Sequence, residues 1–386
     1  MKNAIAITGR GLISSAGSSP EELFESSLHP PVTPSDGEYH AAPFALAERS
    51  RRIAAKLDRT CQLALFAANK ACEEANIFGI DRSRVGIVAG TSRGPVGSWD
   101  EAYARLADGR RMRPTLAAAG SVASLSGAVV ADQGFTGPSQ TLSATCASAA
   151  HAIATGAMWL ESGIVDVVLA GGAEGPLGEF LSSQMKAAGL VASPSVGIRP
   201  FDKNRGGFLP GEGSGFLVLE RRSHAESRGA QTYGFLRGFS LRTASSGKTG
   251  VESDGATLTS VIQEALSDAG APPDQIAYVN AHGTGTEAND RVEAKALAAI
   301  FGTKTPISST KPVTGHCLGA TPALEAILSL EALANNTAPP NHNCSEPVEN
   351  LLFTPSEPAD LAGNLALSLS SGFWGKHAAL IFSKTA

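Results

Sequence analysis

Cys146 lies in SATCASAAHAIATG (residues 143–156), where an extended stretch gives way to a helical pattern. A free thiol titrates at about 8.5, and the unpaired N–H groups and positive dipole of a helix's first turn can lower that value into the physiological range. Ala144, Ala147 and Ala149 leave room beside the sulfur for a substrate. The local residues alone leave a buried packing cysteine equally open. In AHGTGTEAND (281–290), His282 directly follows a strand-like run, and the glycines beside it let a ligand approach the backbone. Thr284 and Thr286 place two hydroxyls within reach of a ligand's amides or phosphate. STKPVTGHCLGA (309–320) adds Lys311 and His316; singly, these read as a solvated lysine and a helix cap. One cysteine and two histidines without metal-ligand spacing suggest acyl transfer, in which neutral imidazoles donate hydrogen bonds to a developing oxyanion.

The elements that must position these residues alternate. AIAIT (4–8), VGIVAG (85–90), VVLAGG (167–172), GFLVLE (215–220), IAYVNA (276–281) and AALIF (378–382) read as strands. CQLALFAANKACEEAN (61–76), ASAAHAIATGAMWLESG (147–163), GATLTSVIQEALSDAG (255–270) and ALEAILSLEALANN (323–336) read as helices between them. That order predicts an α/β layered fold. The order also repeats: a helix, a polar turn and a strand lead to Thr91 in one half and to His282 in the other. Cys146 and His316 then stand at equivalent helix starts, which implies an internal duplication that can bring the two together across a pseudo-twofold axis.

The 386 residues exceed the usual single-core size, so two domains or two fused halves are expected. Hydrophobic residues make up 42% and charged residues 17%, which argues against disorder. A formal net charge of −5 with no long basic run argues against nucleic acid as a partner. RSRRIAAKLDR (49–59) and RRMR (110–113) can present positive charge to an acidic protein or a phosphate, or can be ordinary solvated faces. The cysteines, Cys61, Cys72, Cys146, Cys317 and Cys344, are odd in number and show no CxxC spacing, which fits a reducing cytoplasm better than a disulfide framework or a zinc site. MKNAIAITGRGLISS has a short apolar run cut by Arg10 and does not read as a signal peptide. The uncharged span 134–160 holds Pro138 and His151 among Gly, Ser, Thr and Ala, and reads as a buried helix and strand rather than a membrane segment.

SATCASAAHAI, AHGTGTEANDRVEAKAL, STKPVTGHCLGATPALEAI, RPFDKNRGGFLPGEGSGFLVLE and SSGFWGKHAALIF resemble the signature blocks of the β-ketoacyl-[acyl carrier protein] synthases, condensing enzymes of the thiolase-like superfamily. The likeness runs from about residue 3 to 384. It implies a duplicated, thiolase-like α/β/α/β/α fold, with a first half over 1–250 that carries cap insertions and a second over 251–386. Cys146 then matches the nucleophile that takes the acyl chain, and His282 and His316 match the pair that binds the malonyl thioester and promotes decarboxylation. Lys311 matches an ordering lysine and Glu325 its acidic partner. Thr284 and Thr286 match contacts to the pantetheine arm. Phe373 matches a gating residue whose N–H joins that of Cys146 in an oxyanion hole. The resemblance implies no metal or organic cofactor, an acyl carrier protein as substrate carrier, and a dimer of two copies or with a homologous ketosynthase-like chain. Arg52, Lys56 and Arg205 become candidates for docking an acidic carrier. A non-catalytic chain-length partner and a coenzyme A thiolase are the competing classes; the first usually loses the nucleophile, and the HGTGT and TGH blocks disfavour the second.

The family commonly ends in Asn-Ser-Phe-Gly-Phe-Gly-Gly-Thr-Asn, whereas this chain reads Leu369, Ser370, Ser371, Gly372, Phe373, Trp374, Gly375, Lys376 and His377. Trp374 in place of a glycine is expected to restrict the gate loop and fill space near the acyl channel. Thr145 stands where many relatives have Ala, and residues 28–60 and 95–120 look shorter than the family's cap and pocket segments. These departures suggest a specialised synthase for polyunsaturated or aromatic-primed chains.

Overall fold

The strands are β1 (Ile5–Ile13), β2 (Val85–Gly90), β3 (Ser139–Leu142), β4 (Val167–Glu174), β5 (Gly213–Arg221), β6 (Gly234–Thr243), β7 (Ile276–Asn280), β8 (Ile307–Ser308), β9 (Thr337–Ala338), β10 (Ala359–Asp360), β11 (Leu365–Gly372) and β12 (Lys376–Ser383). The computed structural model describes residues 4–245, 252, 254–349, 351 and 357–386. The expected boundary at 250/251 lies outside the described residues.

Among the described residues, ten strands form one sheet in the order β3-β2-β4-β5-β1-β6-β12-β11-β7-β8, and β9 pairs with β10 apart from it. The order reads as two copies of one pattern. In the first half β2 pairs in parallel with β3 and β4, β4 antiparallel with β5, and β5 antiparallel with β1. In the second half β7 pairs in parallel with β8 and β11, β11 antiparallel with β12, and β12 antiparallel with β6. The halves join where β1 meets β6, with Ile5 opposite Leu236 and Ile7 opposite Gly234.

Alternation along the strands sorts side chains into layers. Val168, Ala170, Leu217 and Leu219 of the first half, with Ala378, Leu380 and Phe382 of the second, face one central core shared with helices Ser148–Glu161 and Thr321–Asn335. Val167, Leu169, Phe216 and Val218 point the other way, onto helix Arg59–Ala75. Leu367, Leu369, Ala379 and Ile381 do the same against helices Ala256–Ala269 and Glu287–Phe301. Each half of the sheet thus makes its own layer, and the order is helix, half-sheet, helix, half-sheet, helix, as the resemblance implies. Helix Arg59–Ala75 presses close to the sheet: a Cβ at Gly9 or Gly11 of β1 would overlap its backbone carbonyls.

The strands and helices named from sequence are all present, within a few residues at their ends. Four strands of the large sheet carry no such signal. β3 is short and polar, β8 has two residues, β6 (GFLRGFSLRT) alternates with arginines and serines, and β11 (LALSLSSG) buries serines at 368 and 370. Among the described residues, no helix is long and apolar enough to cross a membrane.

Candidate active site

The chemistry-bearing residues leave the carboxyl ends of parallel strands from both halves, the usual place for a site in such sheets. Thr91 to Arg93 follow β2, Cys146 follows β3, His282 follows β7, Lys311 and His316 follow β8, and Phe373 follows β11. A cavity of about 440 Å³ gathers Cys146, His282, His316, Thr284, Thr286 and Phe373 on its walls.

Cys146 sits on a tight strand-to-helix turn. Thr145 takes φ 53°, a left-handed conformation strained for a β-branched residue. Ser148 holds the turn: its hydroxyl donates to the Thr145 carbonyl (2.6 Å) and accepts from the Ala144 N–H (2.9 Å). From β11, Gly372 packs against Thr145, Ala144 and the Cys146 nitrogen, where a Cβ would not fit. The expected lowering of the thiol's pKa by a helix dipole gives way to burial. Cys146 precedes the helix by two residues, and desolvation pushes its thiol up to about 12, with Lys311 and Arg93 pulling it down and Glu174 pushing it up.

The imidazoles of His282 and His316 meet edge to face, centroids 5.6 Å apart at 78°. Phe208 stands against His316 at 4.9 Å and 89°, and Thr321 Oγ1 lies 3.2 Å from its Nδ1. Burial, reinforced by the Lys311 charge, lowers both imidazoles well below the ordinary histidine range, so they are neutral at pH 7. Nδ1 of His282 is buried without a partner among the described residues.

Lys311 and Glu325 lie behind the cavity. Lys311 is fully buried, and its Nζ donates to Glu325 Oε1 (2.7 Å) and to the His282 carbonyl. The pair thus pins the main chain of one histidine, and burial raises the Glu325 carboxyl to about 7 against the pull of Lys311.

Three further buried carboxylates hold the loops and were not singled out from sequence. Glu293 accepts the N–H groups of His282 (2.6 Å) and Gly283 (2.8 Å), and Asp290 accepts those of Phe201 (2.8 Å) and Gly285 (3.0 Å). Acids spaced by three on the helix after HGTGT were the available signal. Glu174 accepts from Ser92 (2.7 Å), Arg93 (2.9 Å) and Gly319 (3.0 Å), tying a first-half loop to a second-half one.

Phe373 lines the cavity and its carbonyl lies 3.5 Å from Thr145 Oγ1. Trp374 does not fill the channel as expected. At φ 63° it turns away, 56% exposed, and His377 lines the cavity instead, its Nδ1 2.9 Å from Ser371 Oγ. Lys376 reaches Thr243 Oγ1 at 3.3 Å. The docking candidates do not gather. Arg52 and Lys56 are exposed at helix Glu48–Ala54 and just after it, Arg52 beside Glu48. Arg205 instead spends its guanidinium on the carbonyls of Thr286 (3.2 Å), Asp202 (2.9 Å) and Glu287 (2.8 Å), bracing the loop that carries Thr286.

Comparison with known proteins agrees with this geometry. Residues 38–225 match the beta-ketoacyl synthase N-terminal domain family and residues 233–345 the beta-ketoacyl synthase C-terminal domain family. The chain is 31% identical to 3-oxoacyl-[acyl-carrier-protein] synthase 2 of Coxiella burnetii (strain RSA 493 / Nine Mile phase I), over 99% of each chain. It is 32% identical to the tetracenomycin polyketide synthase ketoacyl synthase alpha subunit of Streptomyces glaucescens, over 87% of this chain and 83% of that one. The solved ishigamide ketosynthase/chain length factor superposes with a TM-score of 0.89 at 27% identity, covering 99% of both chains.

Proposed function

The chain belongs to the beta-ketoacyl synthase family, and from that premise we propose that it condenses an acyl group held on Cys146 with a malonyl thioester on acyl carrier protein, losing CO2. The observation that carries the reading is the meeting of Cys146 with two neutral imidazoles, His282 and His316, in one cavity.

In the first step Cys146 Sγ attacks a carrier-bound acyl thioester. The thiol proton leaves through an imidazole of the pair to the departing carrier sulfur, since burial disfavours a standing thiolate. The malonyl thioester then loses CO2, and the enolate oxygen is held by hydrogen bonds from His282 and His316. The enolate carbon attacks the acyl-cysteine carbonyl, the backbone N–H groups of Cys146 and Phe373 hold the oxyanion, and the cysteine sulfur leaves. Lys311 and Glu325 act by fixing His282. Thr284 and Thr286, on the wall the second half supplies, contact the pantetheine arm.

The products enter fatty acid or polyketide synthesis. The exposed Arg52 and Lys56 receive the acidic carrier. Trp99, Tyr103 and Leu106 are exposed on one helix and form an apolar face for a second copy or a homologous ketosynthase-like chain. Five free cysteines support a cytoplasmic setting. The intact Cys146, His282 and His316 weigh against a purely chain-length-setting partner. Intact-mass measurement after incubation with acyl carrier protein tests the reading: an acyl adduct forms on the native chain and is absent from Cys146→Ala. A native chain that takes no acyl group from any carrier would overturn it.

A further inference from the structure

Arg93 is a charged side chain of the cavity that the condensation leaves without a task. It follows β2, and its backbone N–H is held by Glu174 at 2.9 Å. The residue lines the same cavity as Cys146. Nε is buried with no hydrogen-bond partner, and among the described residues no carboxylate pairs with the guanidinium. The charge lies near enough to Cys146 to pull against the burial that raises its thiol.

The two halves give this position meaning. Aligning VGIVAG with IAYVNA sets Thr91 against His282 and Arg93 against Thr284. Both loops reach the cavity, one bringing a hydroxyl for the pantetheine arm and the other an unpaired cation. Met185, Leu190, Phe208 and Leu318 make the neighbouring wall apolar. A purely aliphatic chain drawn into that space would cover a cation without compensating it, which is unfavourable. Glu252 and Glu287 also line the cavity, but Glu287 is 83% exposed and faces Arg291 at 4.0 Å.

We propose that Arg93 selects an acyl group whose far end carries a carboxylate, the half-thioester of a dicarboxylic acid, which the guanidinium holds by charge-assisted hydrogen bonds. This rests on the condensing-enzyme reading and names the substrate class of its site.

The test loads purified protein with carrier-bound hexanoyl or adipoyl groups, with no malonyl donor present, and follows the acyl adduct by intact mass. The native chain should favour adipoyl by about ten- to a hundredfold in kcat/KM, the range of one charged hydrogen bond. Arg93→Leu should reverse the preference and Arg93→Lys should keep part of it. Equal loading of the two groups by the native chain, or an unchanged ratio in Arg93→Leu, overturns the proposal while the loading itself upholds the condensing reading. In a separate arm with malonyl donor added, slower condensation with unchanged loading in Arg93→Leu would place Arg93 on the malonyl carboxylate and also overturn it. No loading of either group overturns the proposal, while the condensing reading falls only if acyl groups of every other type also fail to load. Should Arg93→Leu fail to fold, the native ratio and that of Arg93→Lys decide.

Discussion

Gly372→Ala puts a methyl group where two halves of the site touch. The residue has φ −142° and ψ 166°, extended backbone that alanine adopts freely, so the effect is steric. The new Cβ would overlap Thr145 Oγ1 and lie 2.9 Å from the Ala144 carbonyl and 3.1 Å from the Cys146 nitrogen. Carbon contacts settle at about 3.5–4.0 Å, so the turn must retreat by roughly 1 Å. Overpacking of that kind costs about 1–3 kcal/mol in stability. In a chain of 386 residues each kcal/mol lowers Tm by only about 1 °C. The group displaced carries Cys146, the proposed nucleophile, and a 1 Å misplacement costs about a hundredfold in rate. Acyl loading measured by intact mass should therefore fall about a hundredfold while thermal unfolding shifts only modestly. Thr145→Ala removes the overlapping hydroxyl, so the double variant should recover at least about tenfold of the loss. Loading at the native rate in Gly372→Ala, or no recovery in the double variant, would refute the packing account of how Cys146 is placed.

Lys311→Met leaves Glu325 buried beside an unanchored His282 carbonyl. Losing one partner of a buried pair costs about 3–5 kcal/mol, and urea unfolding should show it together with a collapse of condensation. Because burial raises the free thiol to about 12, alkylation of Cys146 by iodoacetamide should quicken about tenfold per pH unit from pH 7 to 9; a plateau already at pH 7 would restore the helix-dipole account. Charge reversal at Arg52 and Lys56 should raise KM several-fold for carrier-bound substrates and leave free pantetheine thioesters unaffected; equal KM for both would remove the two residues from the docking face.

Much of the site was legible because its residues are fixed by local context. Cys146, His282, Lys311 and His316 each follow a strand end, and small residues and glycines beside them mark turns rather than core. The repeat of helix, strand and turn anticipated that residues of the two halves meet. β6 and β11 were missed because buried serines and interleaved arginines hide the period-two pattern that marks a strand. Arg205 reads as one more basic surface residue until the carbonyls it braces, at residues 202, 286 and 287, are brought beside it.

By itself, then, the sequence determined the architecture and the family likeness and singled out Cys146, His282 and His316 as candidates, since each is written in spacings of a few residues. Only the tertiary structure decided their condition. Desolvation neutralises His282 and His316 and raises Cys146, and it depends on what packs above each group from elements apart in the sequence. The outward turn of Trp374 and the lack, among the described residues, of a partner for Arg93 are likewise properties of assembled loops, because exposure and charge pairing exist only once distant segments meet.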